Sequence, residues 1–232
     1  MKGFILAAGL GTRLRPITNT IPKALVEVKG KTLLQRAIEK LQKVDVDEII
    51  VNVHHFADRI EAFLNEHDFG IPIHISDERD NILGSGGALK HAEKLLEGNE
   101  PFFVHNVDVI SDIDLLDMLY LYRHSKALAI LAVRQRDTKR MLCFDELHRL
   151  CGWKNKETNE LKGRDGIELA FSGIHLIHPE LLKRLPEGQS SIIDLYLEVA
   201  KTDTILAYDH SDGEWLDVGT PERLHKAAML VE

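Results

Sequence analysis

Apolar residues in this chain come in short runs that alternate with amphipathic stretches. Phe4-Ile5-Leu6-Ala7-Ala8 is an unbroken apolar run that stops at glycine, which predicts a buried strand and then a loop over 9–16. From Lys31 to Lys43 the apolar positions Leu34, Ile38 and Leu41 share one helical face. A strand is predicted over 48–53 and a helix over 58–66, the latter carrying Ile60, Phe63 and Leu64. A short strand over 72–75 precedes a helix over 86–96, whose inward face is Ala88, Leu89, Ala92 and Leu95. Phe102-Phe103-Val104 is a further strand, ending in the polar group His105, Asn106 and Asp108, and a helix follows over 112–122. Beyond it the pattern mixes, with strands over 128–133 and 169–177 and hairpin-like segments between them, including 143–153. Ser191 with Asp194 has the spacing of a capping box, and Thr220-Pro221 that of a helix start.

This alternation predicts an α/β fold: a mixed but mainly parallel sheet flanked by helices on both faces. No linker, repeat or low-complexity stretch divides the chain, so residues 1–232 are expected to form a single domain. Ligands of such sheets sit beyond the carboxyl ends of the strands. The Gly9 loop, the Gly84 loop and Asp108 all fall there, and this coincidence argues for one site.

Charge and cysteine usage narrow the class. A net charge of −8 from 29 basic and 37 acidic residues, with no basic block, argues against a nucleic-acid surface. Cys143 and Cys151 lack metal-site spacing and read as free thiols of a reducing compartment. The apolar opening is too short for a signal peptide, and no run reaches the ~18–20 residues of a membrane span. A cytoplasmic protein is expected.

The informative stretch is Leu6-Ala7-Ala8-Gly9-Leu10-Gly11-Thr12-Arg13-Leu14-Arg15-Pro16, followed by Pro22-Lys23. A glycine loop after a strand can turn backbone N–H groups toward an anion. Arg13, Arg15 and Lys23 add the cations that transfer of a phosphoryl or nucleotidyl group needs as pyrophosphate leaves. Two familiar phosphate loops are excluded: the string lacks the Gly-Lys-Ser/Thr ending of one, and Leu14 stands where the dinucleotide loop needs a third glycine.

These residues resemble the signature of the sugar nucleotidyltransferase family. The resemblance continues in order through Leu83-Gly84-Ser85-Gly86-Gly87-Ala88, Asn106-Val107-Asp108, Phe171-Ser172-Gly173-Ile174 and Trp215-Leu216-Asp217-Val218-Gly219-Thr220-Pro221. It implies a Rossmann-like α/β fold without an appended β-helix domain, and an enzyme that joins a nucleoside triphosphate to a sugar 1-phosphate and releases pyrophosphate. By the same resemblance Leu6, Ala7, Ala8, Gly9, Gly11 and Thr12 line the nucleotide, the Ala8–Thr12 backbone holding the triphosphate, and Gly84 and Gly86 belong to the base-binding loop. Arg13 grips the leaving phosphates and Lys23 stabilises charge at the α-phosphate. Asp108 and Asp217 hold Mg²⁺, while Asn106, Lys154 and Gly173 meet the sugar phosphate. No protein nucleophile is implied.

Two departures stand out. Val107 replaces the family's glycine before the metal aspartate, and Trp153 replaces an acidic residue that meets a sugar hydroxyl. Among branches, the chain looks most like the N-acetylmuramate 1-phosphate uridylyltransferases, with mannose-1-phosphate guanylyltransferases next and choline-phosphate cytidylyltransferases third. A non-catalytic nucleotide sensor of the same fold is disfavoured because Lys23, Asp108 and Asp217 are all present. A glycosyltransferase would need Asp112-Ile113-Asp114 as its metal motif, yet that string reads as a helix start. His54-His55 read as a solvated or capping pair, His105 as a polar strand end, and Met141 and Cys143 as packing. Self-association is left open.

Overall fold

A computed structural model describes residues 1–230. The first half runs β1 (Lys2–Leu6), β2 (Glu27–Val28), β3 (Lys31–Thr32), α1 (Leu33–Gln42), β4 (Glu48–Val53), α2 (Ala57–Glu66), β5 (Ile73–Asp77), α3 (Gly84–His91), α4 (Glu93–Leu96), β6 (Phe102–Asn106), β7 (Val109–Ser111) and α5 (Leu115–Arg123). The second half runs β8 (Ala129–Arg134), β9 (Arg140–Phe144), β10 (Leu150–Asn155), β11 (Glu160–Gly163), β12 (Ile167–Ile177), α6 (Ile192–Val199), β13 (Ile205–Asp209), β14 (Trp215–Asp217) and α7 (Pro221–Leu230).

Ten strands form one mixed sheet in the order β5-β4-β1-β6-β12-β9-β10-β11, with β8 on β12 and β13 on β8. The block β5-β4-β1-β6 is parallel throughout, as its crossover helices require. The second-half strand β12 enters this block antiparallel to β6, and its first residues pair with β9 instead. Successive residues of β1 serve opposite faces: Ile5 packs in one core cluster with Leu34, Ile38, Val51 and Phe103, and Phe4 in the other with Ile50, Leu89, Val104 and Tyr196.

Helix starts follow their caps. Thr32 Oγ1 accepts from Gln35 N (3.0 Å) at α1, and Ser191 Oγ from Ile193 N (3.2 Å) at α6. Asp114, not Asp112, caps α5, its Oδ1 accepting from Leu116 and Asp117 N (2.8 and 3.2 Å). That role uses up half of the Asp112–Asp114 string as local structure. The helix expected over 86–96 is divided at Ala92, whose backbone (φ −83°, ψ 5°) ends α3 before α4 begins. His54 does not cap α2. Phe56 occupies that position in the left-handed region, and His54 Nδ1 instead meets the Glu78 carbonyl at 2.8 Å.

The glycines of α3 have a packing reason that their sequence context conceals. A Cβ at Gly86 would lie 2.7 Å from Ser190 Oγ, and one at Gly87 would collide with the Gly188 carbonyl oxygen. Ser85 Oγ accepts from Ile192 N at 3.1 Å, so this serine is a fastener between α3 and α6. Gly87→Ala is expected to destabilise the protein by about 1–3 kcal/mol, the cost of overpacking against a fixed backbone. Urea denaturation measures it, and an unchanged midpoint would contradict this account of the α3–α6 contact.

Candidate active site

The Gly9 loop is held from beneath. At its root the Leu6 carbonyl accepts from Val107 N (3.1 Å), tying β1 to the end of β6. Ala7 and Ala8 N both donate to Asn52 Oδ1 (2.6 and 3.3 Å), and Asn52 Nδ2 donates to Glu78 Oε1 (2.9 Å). The Ala7 and Ala8 N–H groups are therefore committed to the scaffold, which shifts the available donors to the residues after Ala8. Among the described residues, the N–H groups of Gly9, Leu10 and Gly11 make no such bond. A Cβ on Gly9 would meet nothing within 4 Å, so the loop faces open space there. Gly11 (φ +62°) takes the left-handed turn, with Thr18 and Lys23 packed too close for a side chain.

Asn52 and Glu78 carry no motif, and sequence reading passes over both. Burial pushes the Glu78 carboxyl above the usual carboxylate range, partly offset by the bond from Asn52. Asn52→Leu would strand the Ala7 and Ala8 donors and the Glu78 carboxyl. It is expected to lower stability by about 1–3 kcal/mol and to raise KM for the triphosphate. Thermal melts and initial rates check the two effects separately.

Asp108 and Asp217 lie far apart in sequence but meet in space. β7 and β14 pair antiparallel with Asp217 opposite Val109, and Val218 N donates to the Asp108 carbonyl at 2.8 Å. Lys23 Nζ ion-pairs with Asp108 Oδ2, both side chains being mostly buried. Arg223 pairs with Asp217 from the first turn of α7. Among the described residues, buried Asp217 Oδ1 has this ion pair and no well-aligned hydrogen bond. A Cβ at Gly219 would lie 2.8 Å from both Arg13 Nη2 and Asp217 Oδ1, so Arg13 and Asp217 flank that glycine. Likewise Gly173 (φ +79°) leaves room for Asn106, whose Nδ2 would be 2.7 Å from a Cβ there. Val107 costs the turn nothing: it is buried in the core and its N–H is the donor to Leu6.

Arg13, Lys23, Asn106, Asp108, Gly173 and Asp217 are thus gathered beside the Gly9 loop at the carboxyl ends of β1 and β6. Gly84 (φ +70°) packs on a different segment, where a Cβ would lie 2.7 Å from the Ser190 carbonyl oxygen. Lys154 is not gathered. Strand alternation turns it away from Trp153 and Asn155, and Glu168 (2.8 Å) and Asp165 (3.5 Å) hold its ammonium. Trp153 and Asn155 line a cavity of about 530 Å³ with Arg136, Arg140 and Phe171. Arg136 stacks over Trp215 (4.4 Å to the ring centre) and donates to the Phe171 carbonyl (3.3 Å), which anchors this cavity to the strand bearing Asp217. No sequence motif points to Arg136.

A loop with free N–H donors, a lysine–aspartate pair and a second aspartate brought in by a short ribbon can hold a polyphosphate. The family model described as nucleotidyl transferase matches residues 2–141. The chain belongs to that family. It is 34% identical to an N-acetylmuramate alpha-1-phosphate uridylyltransferase of Caulobacter vibrioides, over 99% of this chain and 96% of the relative. It is 28% identical to the mannose-1-phosphate guanylyltransferase catalytic subunit beta of Dictyostelium discoideum, over 96% of this chain but 62% of that longer protein. Among solved structures, HddC from Yersinia pseudotuberculosis complexed with GMP-PN superposes with a TM-score of 0.78 at 26% identity, covering 100% of this chain and 99% of the other. This nucleotidyltransferase has, among its described residues, no helix long and apolar enough to cross a membrane.

Proposed function

We propose that this nucleotidyltransferase transfers a nucleoside monophosphate from a nucleoside triphosphate to a sugar 1-phosphate, with pyrophosphate leaving, and that residues 1–232 act as one domain. The observation that carries the reading is the convergence of the Lys23–Asp108 pair and Asp217 beside the open Gly9 loop. The free Gly9–Gly11 N–H groups and Arg13 bind the β- and γ-phosphates and take up charge on the leaving pyrophosphate. Lys23 exchanges its Asp108 contact for the α-phosphate, and a sugar phosphate oxygen attacks that phosphorus in line. The α-phosphorus–oxygen bond to pyrophosphate breaks as the new one forms, and no enzyme nucleophile intervenes.

Asp108 and Asp217 suit a divalent ion. They are carboxylates on adjacent backbone segments, and among the described residues the buried Asp217 Oδ1 has the Arg223 ion pair but no hydrogen bond. Among the described residues no cluster of three or more ligating side chains exists. Mg²⁺, a hard cation that prefers carboxylate and phosphate oxygens, would be held by Asp108 and Asp217. When bound, it supplies neutralisation of the two approaching phosphates.

UTP with N-acetylmuramate 1-phosphate is the preferred pair, supported by the match to the Caulobacter vibrioides protein over nearly the full length of both chains. GTP with mannose 1-phosphate is the second reading, supported by the guanylyltransferase similarity. Chromatographic detection of the nucleotide sugar, across a matrix of UTP, GTP, CTP and dTTP against several sugar 1-phosphates, tests this. UTP with N-acetylmuramate 1-phosphate should give the highest kcat/KM, and a GTP–mannose maximum would transfer the assignment to the second reading.

A further inference from the structure

Behind the β7–β14 ribbon, on the side of α1, lies a second cleft of about 290 Å³. Arg36 and Lys40 lie on α1 and Lys43 is its C-cap residue in right-handed helical conformation, so spacings of four and three put all three on one side. They line this cleft together with Ser111 of β7, and His105 lies at its floor. On a protein of net charge −8, such a concentration of cations is a local exception. Their charges are only partly answered. Glu39, also at the rim, is engaged by Lys31 (2.9 Å) and Gln35 (3.0 Å), and Asp112 and Asp114 reach Lys40 only at longer range. Lys40 donates to the Ser111 carbonyl at a long 3.3 Å, and burial together with Lys43 lowers its pKa. Arg36 donates from Nη2 to the Val28 carbonyl (2.6 Å), yet among the described residues its buried Nε has no partner. Ser111 Oγ is buried and unpartnered as well. Two residues that line one cleft thus each keep a buried polar atom without a partner, which is costly unless something supplies one.

We propose that this cleft is a binding site for a phosphate-class anion, separate from the nucleotide site, with Arg36, Lys40, Lys43 and Ser111 as its donors. The chemistry fits: a tetrahedral oxyanion accepts several bonds at once, and Arg Nε, two ammonium groups and a hydroxyl are the donors it takes. The volume suits inorganic phosphate or a compact phosphomonoester and falls short of the usual range for larger organic ligands. Position gives the site a route to the reaction centre. Ser111 pairs with Trp215 and Val109 with Asp217 across the ribbon, so an anion held by Ser111 grips the strand that positions the second aspartate.

The test is calorimetric titration with inorganic phosphate, and in parallel with glycerol phosphate, near 150 mM NaCl, where the Debye length is about 8 Å and diffuse attraction is screened. An Arg13→Gln/Lys23→Gln background removes the nucleotide-site cations. Binding in that background, weakened about tenfold or more by Lys40→Gln and by the surface change Lys43→Gln, is the expected result. Tighter binding of the ester would mark an organic phosphate as the ligand, and equal binding would mark the free anion. Absence of phosphate binding in the background protein, or affinity unchanged by both lysine substitutions, would overturn the proposal.

Discussion

Replacing Asp217 by asparagine should lower kcat by about 10²–10³-fold while leaving the fold intact, as is typical when one electrostatic stabiliser of a transition state is removed. Asparagine keeps the shape and can still meet Arg223, so the β7–β14 ribbon and α7 should stay in place. What it loses is the charge that, with Asp108, suits a divalent ion. The concentration of Mg²⁺ needed for half-maximal rate should therefore rise together with the fall in kcat. Asp108→Asn should behave alike and also free Lys23 from its partner. Initial rates over a magnesium titration, with circular dichroism as a check on folding, decide the matter. A folded Asp217→Asn enzyme with wild-type kcat would remove Asp217 from the chemistry.

The second large effect concerns acid stability. His105, His175 and His210 are buried, and burial pushes their pKa values down to about 4, 3 and 4. His175 meets the Tyr196 hydroxyl through Nδ1 and leaves Nε2 unpartnered, while His210 Nε2 meets Ser172 Oγ at 2.7 Å. In the unfolded chain each takes up a proton near pH 6.5. Between that pH and the folded value the unfolded state binds more protons, so stability is full above about pH 6.5 and falls as pH drops. Each histidine removes about 1.4 kcal/mol per pH unit through that window. Glu78 works in the opposite sense, because its raised pKa makes folding favour the protonated form. With a total stability of order 5–15 kcal/mol, three such histidines are enough to unfold a typical domain well before carboxylates finish titrating. Urea midpoints at pH 7, 6 and 5 should decline steeply. His210→Gln, which can keep a bond to Ser172, should make the decline shallower by roughly a third, one of three equal contributions. A flat profile over this range would show that the histidines are hydrated or charged in the native state.

Much of this was legible in the sequence, and the reasons differ by element. The apolar run over 4–8 and the facing Leu34, Ile38 and Leu41 gave β1 and α1 because burial on both sheet faces and on one helix face leaves unmistakable periods. The order of motifs marked the Gly9 loop, Lys23, Asp108 and Asp217 as candidates, and the fold brings them to one place. Their convergence was implied by the resemblance and not readable from spacing, since nothing in the chain between Asp108 and Asp217 announces that Val109 will pair with Asp217. The support beneath the loop escaped for a similar reason. Asn52 and Glu78 act through single hydrogen bonds across strands, and isolated polar residues carry no period. Gly84 and Gly86 show the reverse problem. Close packing on the 188–191 segment and close approach of a ligand both call for glycine, and the two demands look identical in sequence. Lys154 depended on alignment alone in a region of hairpins, where a shift of one position turns a side chain to the other face.

Pyrophosphate release by the purified protein with Mg²⁺ tests the central claim most directly, with UTP and N-acetylmuramate 1-phosphate supplied together and then each withheld in turn. The account predicts release only when both are present, in one-to-one yield with the nucleotide sugar. Release without a sugar 1-phosphate, or binding of triphosphates with no release across all sugar phosphates offered, would contradict it.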